Sequence, residues 1–197
     1  MARIHAGWLA FFFTVVSLGV WANEGRHTNG AEKMSVGVQA RYRIPAVTVV
    51  DTRGRPVRLP GPMESDTPLL VNFIYTTCST ICSAQTATLA ELQRQLAERG
   101  SRARFVSFTI DPDNDTPQRL AAFARRFSIE RDWDFYSGDF NELLRVQQAF
   151  DVYRGSKASH PPVVLLRHSR HAPWVRVEGF ATPAELLDVY QRLPALR

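Results

Sequence analysis

Cysteine is scarce in this sequence. The 197 residues contain two, Cys78 and Cys82, so a small scaffold stapled by several disulfides is excluded. Internal repeats and low-complexity tracts are absent as well, which removes solenoids and biased, uncollapsed chains. No block of like charge occurs. The net charge is +5, yet the arginines are spread through helix-like stretches, the pattern of a solvated basic surface and not of a nucleic-acid footprint. Long apolar runs are missing too: the one candidate, Trp8–Trp21, is nearly all apolar over fourteen residues, short of the ~20 that span a bilayer comfortably.

That segment has a different use. Arg3 and His5 precede it, and Val20–Trp21–Ala22 places small residues where a signal peptidase cuts. Residues 1–22 are therefore expected to be an export signal cleaved after Ala22; if retained, the same segment is a signal anchor in the membrane. Either outcome puts the remainder in the periplasm or on the outer face of the inner membrane, where a thiol pair is open to oxidation. Residues 23–43 are polar, contain Gly and Asn and show no sustained period, so they are predicted to be a linker or flexible arm. Residues 44–197 suffice for one domain with its own core and are short for two.

Within that domain strands and helices alternate. "IPAVTVV" and "RPVRL", either side of Asp51–Gly54, predict a hairpin. Leu69–Tyr75 is a nearly continuous apolar run, as in a strand covered on both faces, and Leu89, Leu92 and Leu96 then recur at helical spacing until Gly100. Ala103–Ile110 predicts a strand, Pro117–Phe127 a helix with Thr116 as its N-cap, and Trp133–Tyr136 a short strand. Asn141–Phe150 predicts a helix opened by a capping box from Asp139 to Glu142. Pro162–Arg167 and Trp174–Val177 predict two closing strands, and Thr182–Leu193 a last helix with its own capping box. The pattern is α/β, with a ligand crevice expected at the C-terminal ends of parallel strands, where Cys78 falls.

Cys78 and Cys82 are four residues apart, so a helix beginning at or near Cys78 puts both side chains on one face. Such a pair can be an inert disulfide, a redox-active dithiol, or two soft thiolates of the kind that select copper(I) or zinc. A five-residue loop makes a poor staple, because closing a short loop contributes little entropic stabilisation. Two thiolates alone are an incomplete copper site, which turns attention to the five histidines. His5 lies in the signal and His27 in the arm; His168 and His171 sit in an apparent turn between strands. His160 stands directly before a strand, ahead of Pro161 and Pro162, and is either a structural residue or a third ligand.

"FIYTTCSTIC" (Phe73–Cys82), "TIDPDNDTP" (Thr109–Pro117) and a histidine just before a late strand together resemble the Sco (SenC-type) family of copper-binding, thioredoxin-like proteins involved in cytochrome c oxidase assembly. The likeness covers roughly Ile44–Leu193. It implies a thioredoxin-like fold with an additional N-terminal β-hairpin, copper ligation by Cys78, Cys82 and His160, and a flanking loop containing Asp111, Asp115 and Thr116. It also implies a monomer that delivers copper to the copper-centre subunit of cytochrome c oxidase or exchanges it with another copper chaperone. The alternative is a thiol:disulfide oxidoreductase in which Cys78 attacks and Cys82 resolves, reducing the cysteines of a copper-receiving partner. The sequence departs from the family pattern at Ser83, where proline is usual, and at Ser159, where an acidic residue commonly precedes the histidine. The double proline after His160 is also unusual, and one of its peptide bonds is expected to be cis. Taken without the resemblance, "DPDNDTP" reads as acidic capping of a helix N-terminus.

Overall fold

The computed structural model describes residues 34–39, 42–129 and 131–193. The predicted export signal, residues 1–22, and residues 23–33, 40 and 41 of the predicted arm lie outside the described residues. In chain order the elements are β1 (Ser35–Gln39), β2 (Thr48–Asp51), β3 (Pro56–Arg58), β4 (Leu69–Ile74), α1 (Ile81–Glu98), β5 (Arg104–Thr109), α2 (Pro117–Arg126), β6 (Trp133–Gly138), α3 (Phe140–Ala149), β7 (Val163–Arg167), β8 (Trp174–Glu178) and α4 (Pro183–Arg192). The eight strands form one mixed sheet in the order β1-β8-β7-β4-β5-β6-β2-β3.

β4 is buried at all six positions because both its neighbours and both its faces are covered. β5 and β6 run parallel to it through the crossovers α1 and α2, whereas β7 pairs antiparallel on its other side. Successive side chains alternate between faces. Leu70, Ile74, Phe105 and Trp133 pack with leucines of α1, α2 and α4, while Leu69, Val71, Phe73 and Phe108 pack with α3 and the Leu59–Met63 segment. One buried polar chain crosses the first of these cores. Trp133 Nε1 donates to Ser107 Oγ at 2.8 Å, Ser107 Oγ to Asn72 Oδ1 at 2.6 Å, and Asn72 Nδ2 to Gln85 Oε1 at 3.4 Å. Every polar atom named has a partner, so the chain fixes α1 against β4 without an unsatisfied group.

Three local expectations are corrected. Part of the arm, Ser35–Gln39, is an edge strand paired antiparallel with β8, whose free edge supplies the ladder. At α3 the box is only half made: Asp139 accepts from the Asn141 and Glu142 amides, but Glu142 Oε2 accepts from the Thr48 amide at 3.3 Å instead of turning back. The cis peptide bond among the described residues is Leu59–Pro60, not a bond beside Pro161 or Pro162. The α4 capping box is complete, and Thr116 caps α2 as its position predicts. β2 and β3 pair antiparallel across Asp51–Gly54 and extend the β6 side of the sheet.

The antiparallel register of β7 decides which histidines can approach the cysteines. Arg167 pairs with Leu69 and Val164 with Asn72. The residues before β7 therefore lie at the C-terminal end of β4, the Cys78 end, and the turn holding His168 and His171 lies at the opposite end.

Candidate metal centre

β4 ends at Ile74, and the chain curls through Tyr75–Thr80 before α1 begins. The Cys78 amide donates to Tyr75 O at 3.1 Å, which closes the turn and brings the thiol back toward the helix. Cys78 thus lies ahead of α1, not on its first turn, and the pair meets for a different reason than shared helical spacing. Thr80 at the N-cap makes no side-chain capping bond; instead the Cys82 amide donates to Cys78 Sγ at 3.3 Å. Sulfur takes the place of a capping oxygen on an otherwise unpaired helix donor. Ser83 adds a second tie, its hydroxyl donating to Cys78 O at 3.1 Å. The position that departs from proline therefore fastens the cysteine loop to the helix.

Both thiols are free and buried, Cys78 at 7% exposure and Cys82 at 2%. Their acidities differ in direction. Burial raises the Cys78 thiol, but hydrogen bonds from the Cys82 amide and thiol, the Tyr75 side chain and the Thr80 amide outweigh it and leave Cys78 below the ordinary thiol range. Burial pushes Cys82 up to about 12; the Tyr75 backbone hydrogen bond opposes this, and the Cys78 and Asp115 charges add to it. Cys78 is therefore the more acidic thiol of the pair.

The second component is Asp115, fully buried. Its carboxylate accepts the Thr76 amide at 3.0 and 3.1 Å, the Thr76 hydroxyl, and the Thr109 hydroxyl at 2.5 Å. It thereby joins the cysteine loop to the end of β5. Helix capping falls to Thr116, whose hydroxyl accepts the Arg119 amide at 3.3 Å. Asp111 faces another way: its carboxylate accepts Lys157 Nζ at 2.6 Å and Asn114 Nδ2 at 3.1 Å.

His160 is at the same end of the sheet but on its other face. The ring packs edge-on against Phe73, centroids 6.2 Å apart, whereas both thiols belong to the core under α1. Its Nε2 is buried without a hydrogen-bond partner. Burial holds the imidazole below its usual range, against the raising effect of backbone groups of Phe73 and Val152. Ser159 supplies no carboxylate to orient it; that hydroxyl is 3.5 Å from Ser156 Oγ. Among the described residues, no three His, Cys, Asp or Glu side chains stand at metal-holding spacing. The structure brings Cys78 and Cys82 together and leaves His160 outside their contact shell.

The SCO1/SenC family model matches residues 45–180, well over half the chain. The chain belongs to the SCO1/SenC family. The SCO1 protein homolog of Bacillus subtilis (strain 168) is 41% identical over 70 residues, 35% of this chain and 36% of that protein, so the match spans about a third of that relative's length. Among solved structures, BsSco, a member of the Sco family of cytochrome c oxidase assembly proteins in which a disulfide switch has been identified, is 23% identical with a TM-score of 0.64, covering 81% of this chain and 99% of that one. Arabidopsis thaliana ScoI with copper bound is 20% identical with a TM-score of 0.65, covering 79% of this chain and all of that one (100%). At these identities the structural likeness is one of fold, and it establishes the thioredoxin-like architecture.

Within this SCO1/SenC fold, Tyr75, Thr76, Thr109 and Lys157 also contribute. Thr76 and Lys157 act through partners far along the chain, Asp115 at 39 positions and Asp111 at 46, whereas Thr109 meets Asp115 only six positions on. A polar residue just beyond a fully buried strand, with Tyr75 between them, is the hint Thr76 offers.

Proposed function

We propose that this protein is an exported copper-binding protein of Sco type, which carries copper as cargo on Cys78, Cys82 and His160 and takes part in maturing a copper centre of cytochrome c oxidase. The observation that carries the reading is the free thiol pair held at the strand–helix junction, with a buried, unpartnered imidazole nitrogen at the same end of the sheet. Two thiolates suit Cu(I), and an added imidazole also accommodates Cu(II). The printed descriptions of BsSco as an oxidase assembly protein and of the Arabidopsis protein with copper bound point the same way. Residues 1–22 would deliver the domain outside the cytoplasm or hold it at the membrane surface. Anaerobic titration of reduced wild type and His160→Ala with Cu(I) and Cu(II) tests the reading. One equivalent of copper in the wild type and a changed Cu(II) visible spectrum in the variant are expected; no copper binding, or identical Cu(II) binding and spectra, refutes it.

A second reading is favoured by the unequal burial of the two sulfurs. As a thiol:disulfide oxidoreductase, Cys78 attacks a partner disulfide and Cys82 resolves the mixed disulfide. The partner gains two thiols, a Cys78–Cys82 disulfide forms, and an external dithiol must restore it. A Cys82→Ser variant that traps a mixed disulfide with a native partner supports this role, and its failure to trap one speaks against it.

A further inference from the structure

We propose that Lys157 is a positioning residue for the metal site: its ammonium ties the turn carrying His160 to the segments around Cys78 and so holds the imidazole at the thiol end of the sheet, from which the ring can turn toward the sulfurs. This rests on the copper reading above. Lys157–Ser159 is a single 3-10 turn, and the His160 amide donates to Lys157 O at 3.3 Å, so the backbone of Lys157 and that of His160 move together. On the side-chain end, Lys157 Nζ donates to Asp111 Oδ2 at 2.6 Å and lies over the Tyr75 ring, 5.8 Å from its centroid.

Both anchors are themselves fixed. Asp111 is buried, and its amide donates to Thr109 Oγ1 at 2.9 Å. Tyr75 O accepts the Cys78 amide, so the ring beneath the ammonium belongs to the cysteine loop. One side chain therefore joins the Asp111 loop, the cysteine loop and the histidine turn.

The turn has little else to hold it. Residues 153–159 are all exposed, and Gly155 takes φ +77°. Their other hydrogen bonds are local: Arg154 to Asp151 and Tyr153, Ser156 to Ser159, and the Ser159 amide to Ser156 O. Among the described residues, Lys157–Asp111 is the one hydrogen bond from this stretch to a distant segment. His160, Lys157 and Asp111 also border a common cavity of about 190 Å³, so the ring has space beside it. A ligand on a loosely held loop has a low effective concentration at its site, and a tether raises it without adding a metal contact.

Because the ion pair is half-exposed, its removal is expected to weaken the His-dependent state modestly, by about three- to tenfold. The experiment compares wild type, Lys157→Met and Lys157→Arg by three readouts. These are amide hydrogen exchange at His160 in reduced, metal-free protein, Cu(I) and Cu(II) affinity by chelator competition, and the Cu(II) visible spectrum. Expected for Lys157→Met are faster exchange at His160, Cu(II) binding weakened about three- to tenfold and Cu(I) binding unchanged, with Lys157→Arg restoring both exchange and Cu(II) affinity. Unchanged exchange, or faster exchange with wild-type Cu(II) affinity, overturns the proposal, as does equal weakening of Cu(I) and Cu(II). A wild type that binds no copper sinks the copper reading instead, while the exchange measurement still decides whether Lys157 tethers the turn.

Discussion

Asp115→Ala removes a buried charged group that joins the cysteine loop to β5. The carboxylate accepts three donors, the Thr76 amide at 3.0 Å, the Thr76 hydroxyl and the Thr109 hydroxyl at 2.5 Å, and is fully buried. Hydrogen bonds to a charged partner contribute ~1.5–3 kcal/mol each, so about 4.5 kcal/mol is a low estimate of the gross loss. Against this, the variant no longer desolvates a carboxylate, which recovers part of that amount. Thr109 is itself fully buried, so its hydroxyl cannot turn to solvent, and the net cost is about 3 kcal/mol. For a domain of this size that corresponds to a fall in Tm of roughly 6–12 °C. Calorimetry on reduced protein measures it. Alkylation of Cys78 supplies a local readout, because Thr76 lies two residues before it and a loosened loop exposes the thiol. Asp115→Asn, which keeps one acceptor oxygen but turns an amide donor toward other donors, is expected to fall between wild type and alanine. A loss below about 1 kcal/mol for alanine, with Cys78 alkylated at the wild-type rate, refutes the role given to this carboxylate.

The two thiols are expected to react in sequence: near neutral pH iodoacetamide modifies Cys78 first, because Cys78 is held below the ordinary thiol range while Cys82 is pushed up to about 12; equal rates by mass spectrometry contradict this. His160 makes stability depend on acidity. Its imidazole is held below the usual range, so the unfolded chain takes up the proton first and folding stability is lost as pH falls below about 7. His160→Phe is expected to flatten that part of the melting-temperature profile, and an unchanged slope would show that other groups set it. Thr182→Ala breaks both bonds of the α4 capping box and is expected to cost about 1 kcal/mol in chemical denaturation, with no change in thiol reactivity.

How much of this was legible in the sequence varies with the range of the interaction. Elements set by periodicity or caps were readable: Leu89, Leu92 and Leu96 did mark the buried side of α1, and Thr116 and Thr182 did cap their helices. β1 was missed because an edge strand needs only a partner ladder, and its partner β8 is about 140 residues away. Asp115 read as a helix cap because sequence shows only neighbours, and Thr116 satisfies that role equally well by itself. The carboxylate's real donors, Thr76 and Thr109, become visible only once β4 and β5 lie side by side.

The site itself divides the same way. Spacing correctly paired Cys78 with Cys82, but through an assumed helical turn; the structure pairs them through a sulfur cap on the α1 N-terminus, which fixes the sulfurs' order as well as their proximity. His160 was placed at the right end of the sheet by its position before β7, yet no linear pattern tells on which face its ring packs. The two thiols are attached to one core and the imidazole to the other. Under the copper reading, a two-sulfur site leaves the fold unchanged, whereas a site with all three ligands requires the His160 ring to turn from Phe73 toward the sulfurs. On that reading Cu(I), satisfied by thiolates, and Cu(II), which gains from imidazole, would load two different orientations of the His160 side chain. The core is the same in both, and the proposed role of the Lys157–Asp111 pair is to keep the turn at the thiol end of the sheet so that only the ring has to reorient.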